Sequence, residues 1–313
     1  LRIAILLKKN FSSSPEDQKR KKQQEKTCQA VKGALQELGY EVSLLYLSPP
    51  DFSKLEHPEF EAVFNLYTST GKEQALVAGL LELSGIPFTG SSALGHFLAL
   101  AKPIAKSVWA QRGISTPLSF FPPRPADDDF PLIVKPAFGG SGEGISSSSI
   151  VKNQVQLDKA LKEMERFSPL FVEKFIQGRE LTVGIIGDPP LVLPPLEVSF
   201  DLLPEDEARI NSFQAKTVYS DLVEVKPAIL EEKERSLVEQ TALEAFKSLG
   251  LRDLARCDLR MDETGKPFIL EINSLPGLEP GYSDLPKAAE AGGFSYSELI
   301  SRILSRCLKE VEF

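Results

Sequence analysis

The chain has 313 residues, 42% hydrophobic and 26% charged, enough apolar matter for two or three packed units and too much for a disordered polymer. A formal net charge of −8 argues against a surface that neutralises nucleic-acid phosphates, and no window reaches the ~20 apolar residues of a membrane span. Scattered Cys28, Cys257 and Cys307, with only His57 and His96, exclude a disulfide framework and a Cys-based zinc site, leave little room for His-dependent triads, and fit a reducing cytoplasm.

Residues 1–7 are apolar apart from Arg2, alternate little and run into Lys8 and Lys9 without a cleavage site, so a buried parallel strand is expected rather than a signal peptide. Ser12, Ser13, Ser14 and Pro15 signal a helix start, Val31, Leu35 and Leu38 carry its stripe, and Gly39 stops it. Strands over 41–47 and 62–66, a helix over 73–83 ended by Gly85, and a short strand over 86–89 predict an open α/β sheet. A helix over 102–112 and a proline- and aspartate-rich connection follow. Strand 131–135 then enters the turn Gly139-Gly140-Ser141-Gly142-Glu143-Gly144, and helix 153–167 with strand 170–175 completes a small lobe. Strands over 180–186 and 191–198 precede a helix over 231–249. A hairpin pairs 255–261 with 267–272 across a turn ending at Gly265, and loop 274–286 leads to a closing helix from Ser295.

The hairpin carries the most specific chemistry. Arg256 and Asp258 stand two apart on one strand, Glu271 and Asn273 two apart on the next, and a period of two puts each pair on one sheet face. A guanidinium, two carboxylates and an amide oxygen offer hard oxygen ligands without His or Cys, which select Mg²⁺ or Mn²⁺ with substrate phosphates completing the shell. Arg256 beside such an ion would stabilise charge on a transferring phosphoryl group or an oxyanion. A solvated hairpin face has the same pattern, although the loop Asn273-Ser274-Leu275-Pro276-Gly277 favours a site.

The glycines after Lys135 would let backbone N–H groups close over phosphate oxygens, with Lys135 as a phosphate cation. No Gly-Lys-Ser/Thr follows, so this is not a P-loop, and a plain flexible turn is the competing reading. The strand end at Glu173, Lys174, Phe175 and Ile176 would line an adenine slot with a carboxylate facing ribose hydroxyls. A strand–turn–strand with exposed charges is the alternative there.

In order, Lys102, Lys135 with its glycine turn, Glu173 to Ile176, Glu180, Lys216, Arg256-x-Asp258 and Glu271-x-Asn273 resemble the ATP-grasp carboxylate–amine ligases, most closely the D-alanine–D-alanine ligase family. The resemblance spans essentially the whole chain, including Gly85-Ile86-Pro87-Phe88-Thr89-Gly90, Gly113-Ile114-Ser115-Thr116-Pro117 and the closing Ala291-Gly292-Gly293-Phe294-Ser295-Tyr296. It implies an α/β protein: an N-terminal open α/β sheet domain at 1–95, then a two-lobed ATP-grasp fold with a central small lobe at 96–177 and a C-terminal lobe with the metal site at 178–313. It also implies an enzyme, in which ATP phosphorylates a carboxylate to an acyl phosphate and an amine displaces phosphate to give an amide.

By the same resemblance, Lys102 and Lys135 would hold ATP phosphates, Glu173, Lys174, Phe175 and Ile176 the adenine, and Glu180 the ribose. Lys216 would sit on the loop covering the nucleotide. Asp258, Glu271 and Asn273 would hold two Mg²⁺, Arg256 and Ser141 would act in catalysis, and Ser283, near Gly277, would take the acceptor's carboxylate. The implied partners are small carboxylate and amine substrates, with no nucleic acid or membrane, in the cytoplasm. The family's usual homodimer, built on the first domain, is compatible.

The donor side departs from the family. Its ammonium-binding Glu at the start of the first helix aligns at about Lys22, its His-Gly becomes Thr68-Ser69, and its Gly-Glu-Asp-Gly becomes Gly71-Lys72-Glu73-Gln74. Thr217 replaces the Tyr after the cover-loop lysine, and one residue is inserted between Gly277 and Ser283. Losing a carboxylate and gaining Lys72 favours a first substrate with an extra carboxylate or without an ammonium. Two alternatives stand beside that reading: a D-alanine–D-alanine ligase of peptidoglycan synthesis, with Glu16, Glu25 or Glu73 taking the ammonium, and a non-catalytic nucleotide-binding protein.

Overall fold

Three sheets carry the chain in the computed structural model, which describes residues 1–47, 53–55, 58–69, 72–140, 142, 144–204, 207–210, 212, 214–215 and 218–311. In the first, β1 (Arg2–Lys8), β2 (Glu41–Leu47) and β3 (Ala62–Asn65) run parallel in the order β2-β1-β3. Ile3 to Leu7 are at most 2% exposed, because central β1 is covered on both faces, and this is why the run does not alternate. The crossover helix α1 (Pro15–Glu37) opens at Ser14, whose hydroxyl accepts from the Asp17 amide. Helix α2 (Glu73–Ser84) stops at Gly85, which takes the left-handed conformation at φ 69°. The strand expected over 86–89 is reduced to a bridge from Phe88 to Val63, and the chain turns instead into α3 (Ala93–Leu100).

Helix α4 (Lys102–Gln111) leads to an antiparallel sheet in the order β4-β7-β5-β6, made of β4 (Ser119–Phe120), β5 (Leu132–Pro136), β6 (Ile150–Val151) and β7 (Leu170–Lys174). Helix α5 (Gln154–Glu163) covers one face, setting Leu157 and Ala160 against Leu132, Val134, Val151 and Val172. It ends at Glu163, short of the expected 167, and a 3-10 turn continues it. Strand alternation turns Ile133, Lys135 and Glu173 to the other face.

The third sheet has the order β11-β10-β8-β12-β13, with β9 beside β8. Its strands are β8 (Arg179–Ile186), β9 (Leu191–Val192), β10 (Leu196–Ser199), β11 (Glu224–Pro227), β12 (Leu254–Met261) and β13 (Pro267–Asn273). The single strand expected over 191–198 divides into β9 and β10, because Pro194 and Pro195 have no amide hydrogen for a ladder. Helix α6 (Glu232–Ser248) buries Val238, Ala242 and Phe246 with Ala255, Cys257 and Leu259 of β12. The expected loop 274–286 is shorter than predicted: α7 (Asp284–Ala291) already starts inside it, and Pro286 sits in the first turn, where its missing N–H costs no helical bond.

The last helix, α8 (Tyr296–Val311), puts Leu299, Ile300, Ile303 and Leu304 into one core with Ile3, Ile5, Leu7 and Phe64. The end of the chain therefore completes the core of the sheet formed at its beginning. Asp253 fastens this seam: its carboxylate accepts from the Gly90 amide at 2.8 Å and from Arg306 through two bonds of 2.7 Å, while Arg306 also donates to the Phe88 carbonyl at 2.6 Å. No helix among the described residues is long and apolar enough to cross a membrane.

Candidate active site

The predicted hairpin face forms in register. Arg256 on β12 lies opposite Asn273 on β13, and Asp258 lies opposite Glu271. A β-bulge follows Asp258, so two consecutive residues, Leu270 and Glu271, both reach the same cavity. Arg256 grips Asp258 with both arms, at 2.9 and 2.8 Å, and Thr182 on β8 donates to the same carboxylate at 2.8 Å. Asp284, at the start of α7, adds a second carboxylate 3.5 Å from Arg256. Burial alone would lower the Arg256 pKa, but these carboxylates more than reverse that and hold it firmly cationic.

The cavity lies between the second and third sheets, lined on one side by Ile133, Lys135, Phe175 and Ile176 and on the other by Glu180, Asp258, Leu270 and Glu271. Lys102, at the start of α4, donates to the Gly139 carbonyl at 2.5 Å and stands 3.4 Å from Glu271, bridging the glycine turn and the hairpin. Gly139, Gly140 and Gly142 border the same space.

Glu173 differs from its expected place. It was expected beside the adenine, and it does border the cavity, but its carboxylate is fully buried and paired with Lys135 at 2.6 Å and Lys106 at 2.5 Å. Burial pushes the carboxyl pKa up, but the two ammonium groups outweigh it and hold Glu173 ionised. Burial likewise disfavours charge on both lysines; pairing with Glu173 leaves Lys135 raised, whereas Lys106, more completely enclosed, is lowered. Lys106 was missed from the sequence, though its signal was there: it follows Lys102 by four positions, on the same helix face. The Lys174 ammonium also turns from the slot, donating to the Asp129 and Phe130 carbonyls.

The expected acceptor residues lie near the hairpin. Ser283 precedes α7, its hydroxyl accepts from the Glu279 amide at 3.1 Å, and a Cβ on Gly277 would lie 2.6 Å from that oxygen, so the close approach needs glycine. Lys72 is exposed before α2 and is absent from the cavity lining, while Glu73 is paired with Lys8 at 2.9 Å. Ser141 and Lys216 lie outside the described residues, as do Gly71 and Thr217. Among the described residues no cluster of three or more His, Cys, Asp or Glu could by itself cage a metal ion.

A family model described as the D-ala D-ala ligase C-terminus matches residues 125–305. The chain belongs to the D-alanine–D-alanine ligase family. Its fold is the ATP-grasp fold, and its reaction class is that of the ATP-dependent carboxylate–amine ligases. It is 34% identical over 266 residues to a D-alanine–D-alanine ligase of Marinomonas sp. strain MWYL1, covering 82% of this chain and 81% of that one. A D-alanine–D-alanine ligase of Syntrophotalea carbinolica is 35% identical over 287 residues, 90% of each chain. The crystal structure of the Bacillus anthracis D-alanine–D-alanine ligase superposes with a TM-score of 0.79 at 25% identity, over 100% of this chain and 99% of that one. The same ligase complexed with ATP gives 0.76 at 25% identity, over 99% and 98%.

Proposed function

We propose that the protein activates a small carboxylate with ATP and joins it to an amine, and that its first substrate is not a simple α-amino acid. The observation carrying this reading is the register of β12 on β13, which sets Arg256, Asp258, Glu271 and Asn273 on one face, with Asp258 and Glu271 lining the cavity beside Lys102 and the glycine turn. A carboxylate oxygen would attack the γ-phosphorus with ADP leaving. The amine nitrogen would then add to the acyl carbon and lose a proton, and phosphate would leave. Lys102 and Lys135 would neutralise the phosphates, Arg256 the acyl phosphate and the oxyanion, and the backbone at Phe175 and Ile176 with Glu180 would hold the nucleoside. Ser141 and Lys216 would complete the phosphate side from the flap and the cover loop, and Ser283 beside Gly277 would take the acceptor's carboxylate. Of the three units at 1–95, 96–177 and 178–313, the first and last share a core, so the lobe at 96–177 would be the one to move over this cavity.

The donor set fits Mg²⁺. Asp258, Glu271 and Asn273 offer hard oxygens and no sulfur or imidazole, and are too few to fill a shell without substrate phosphates. Bound there, divalent ions would offset charge on the transferring phosphoryl group.

On the donor side, Glu73 is already paired with Lys8 and Lys72 is exposed beside it, which leaves the start of α2 without a spare carboxylate for an ammonium. A second reading, that both substrates are D-alanine, is favoured by the names of the relatives. ADP release measured across D-alanine, other amino acids, hydroxy acids and dicarboxylates decides between them. Turnover is expected with a dicarboxylate or an acid lacking an ammonium, and loss of at least 100-fold in Asp258→Asn. Strong D-alanyl-D-alanine synthesis would overturn the altered-donor reading, and ATP binding without turnover on any pair would overturn the ligase itself.

A further inference from the structure

Arg260 has no assigned part in the reading above. It stands on β12 two positions beyond Asp258 on the same face, because Arg256, Asp258 and Arg260 pair in unbroken register with Gly184, Thr182 and Glu180 of β8. Two strand residues span roughly 6–7 Å, so the guanidinium lies one step along the strand from Asp258, where the proposed reading puts the phosphates and metal. Its surroundings are those that the proposed reading gives to the nucleoside. It lines the cavity with Phe175, Ile210 and Leu270, its guanidinium carbon is 5.1 Å from the Phe175 ring centre, and Glu180 is its cross-strand neighbour.

Arg260 is 4% exposed, yet only one of its three nitrogens is engaged. Nη2 donates to the Gly178 carbonyl at 3.0 Å and to the Arg209 carbonyl at 2.8 Å, whereas Nε and Nη1 are buried without a partner among the described residues. A structural anchor is served by Nη2 alone. Two further donors withheld from water on a charged group are costly to leave unmade, and a ligand in the cavity would supply their acceptors. In the ATP-dependent reading the phosphates would meet Lys102, Lys135 and the glycine amides at the other end of the cavity. What remains for Arg260 is a neutral acceptor on the nucleoside: a ribose hydroxyl or a purine ring nitrogen.

We propose that Arg260 is a nucleotide-specificity residue, its guanidinium resting on Phe175 and donating through Nε or Nη1 to the ribose or the purine ring. The inference rests on the ATP-dependent reading of the cavity. The test is isothermal titration of the full chain with ATP, 2′-deoxyATP, 3-deazaATP and 7-deazaATP in Mg²⁺, with Arg260→Met and Arg260→Gln alongside the parent and unfolding midpoints recorded for each. The parent is expected to bind at least one analogue 5- to 10-fold more weakly than ATP, and the analogue affected identifies the ribose or the ring as the acceptor. Arg260→Met should bind ATP about 10-fold more weakly with that penalty abolished, and Arg260→Gln, which keeps a neutral donor, should restore part of both. Where ligation is observed, KM for ATP should rise with kcat within about twofold. Unchanged ATP affinity in Arg260→Met, equal affinity of the parent for all four nucleotides, or an analogue penalty that survives the substitution would overturn the proposal while leaving the ligase reading intact. A parent chain that binds no ATP would overturn both.

Discussion

With Lys106 and Lys135 both out of water, Glu173 is the anion that keeps them company, and its replacement leaves two cations in the interior. Glu173→Gln is expected to lose about 3–5 kcal/mol by urea unfolding, as breaking a buried ion pair from one side does. Adding Lys106→Met to that variant should recover part of the loss, because one stranded ammonium is gone; no recovery would show that the Glu173–Lys135 contact alone matters. Its carboxyl pKa is lowered, so the stabilisation from this triad is present above pH 4.5 and is lost as pH falls through the lowered value. His96 gives a second, separable pH dependence. It is fully buried, with Nδ1 2.7 Å from the Ser274 hydroxyl and 2.9 Å from the Gln74 amide nitrogen, and burial, aided by Arg252, pulls its pKa down to about 4. A depressed histidine stabilises the fold fully above its unfolded value of 6.5 and loses that contribution as pH falls toward 4. The parent should therefore shed roughly 3 kcal/mol over that window through this residue, and His96→Gln should flatten the slope of unfolding free energy there. A slope unchanged in the variant would show that His96 does not titrate as described.

At the level of elements, the turn into β8 depends on one glycine. Gly178 sits at φ +139°, and a Cβ there would lie 2.0 Å from the Met261 carbonyl oxygen. Gly178→Ala should cost roughly 2–5 kcal/mol through backbone strain and overlap, and should weaken ATP binding, because the Gly178 carbonyl holds Arg260. Gly140→Ala, which meets nothing within 4 Å, is the control and should stay within about 0.5 kcal/mol of the parent in urea titration. The contrast shows what a sequence displays. Period-two spacing was enough to predict that Arg256, Asp258, Glu271 and Asn273 share a face, because a hairpin's geometry is local. The bulge that brings Leu270 in beside Glu271 was not legible, since it is a property of two strands together. Nor was the inward turn of Glu173: a strand end flanked by charge looks exposed until α4 delivers Lys106 against it. The short pieces β4, β6 and β11 escaped for a related reason, as each is made a strand by its neighbour rather than by its own pattern.

For the whole molecule, the least legible feature is that α8 belongs to the first sheet. Its apolar stripe announced a packed helix but not the surface it packs on, and the shared core with Ile3, Ile5 and Phe64 makes the chain's two ends one unit. Asp253 and Arg306 sit on that seam, the carboxylate 0% exposed in its side chain and the guanidinium 13%. Arg306→Leu removes both charge-assisted bonds to Asp253 and the bond to the Phe88 carbonyl, leaving Asp253 with the Gly90 amide alone among the partners described here. A loss of about 3–5 kcal/mol is expected. Trp109, the single tryptophan, lies in a different cluster, with Val238 and Phe246, and its indole donates to the Ala245 carbonyl. If the shared core couples the parts into one cooperative unit, urea titrations followed by Trp109 fluorescence and by far-ultraviolet circular dichroism will coincide in the parent and will move together in Arg306→Leu. A Trp109 transition that stays put while the circular dichroism midpoint falls would instead show that the segment 1–95 with α8 unfolds on its own, and that the seam at Asp253 joins two independently stable bodies.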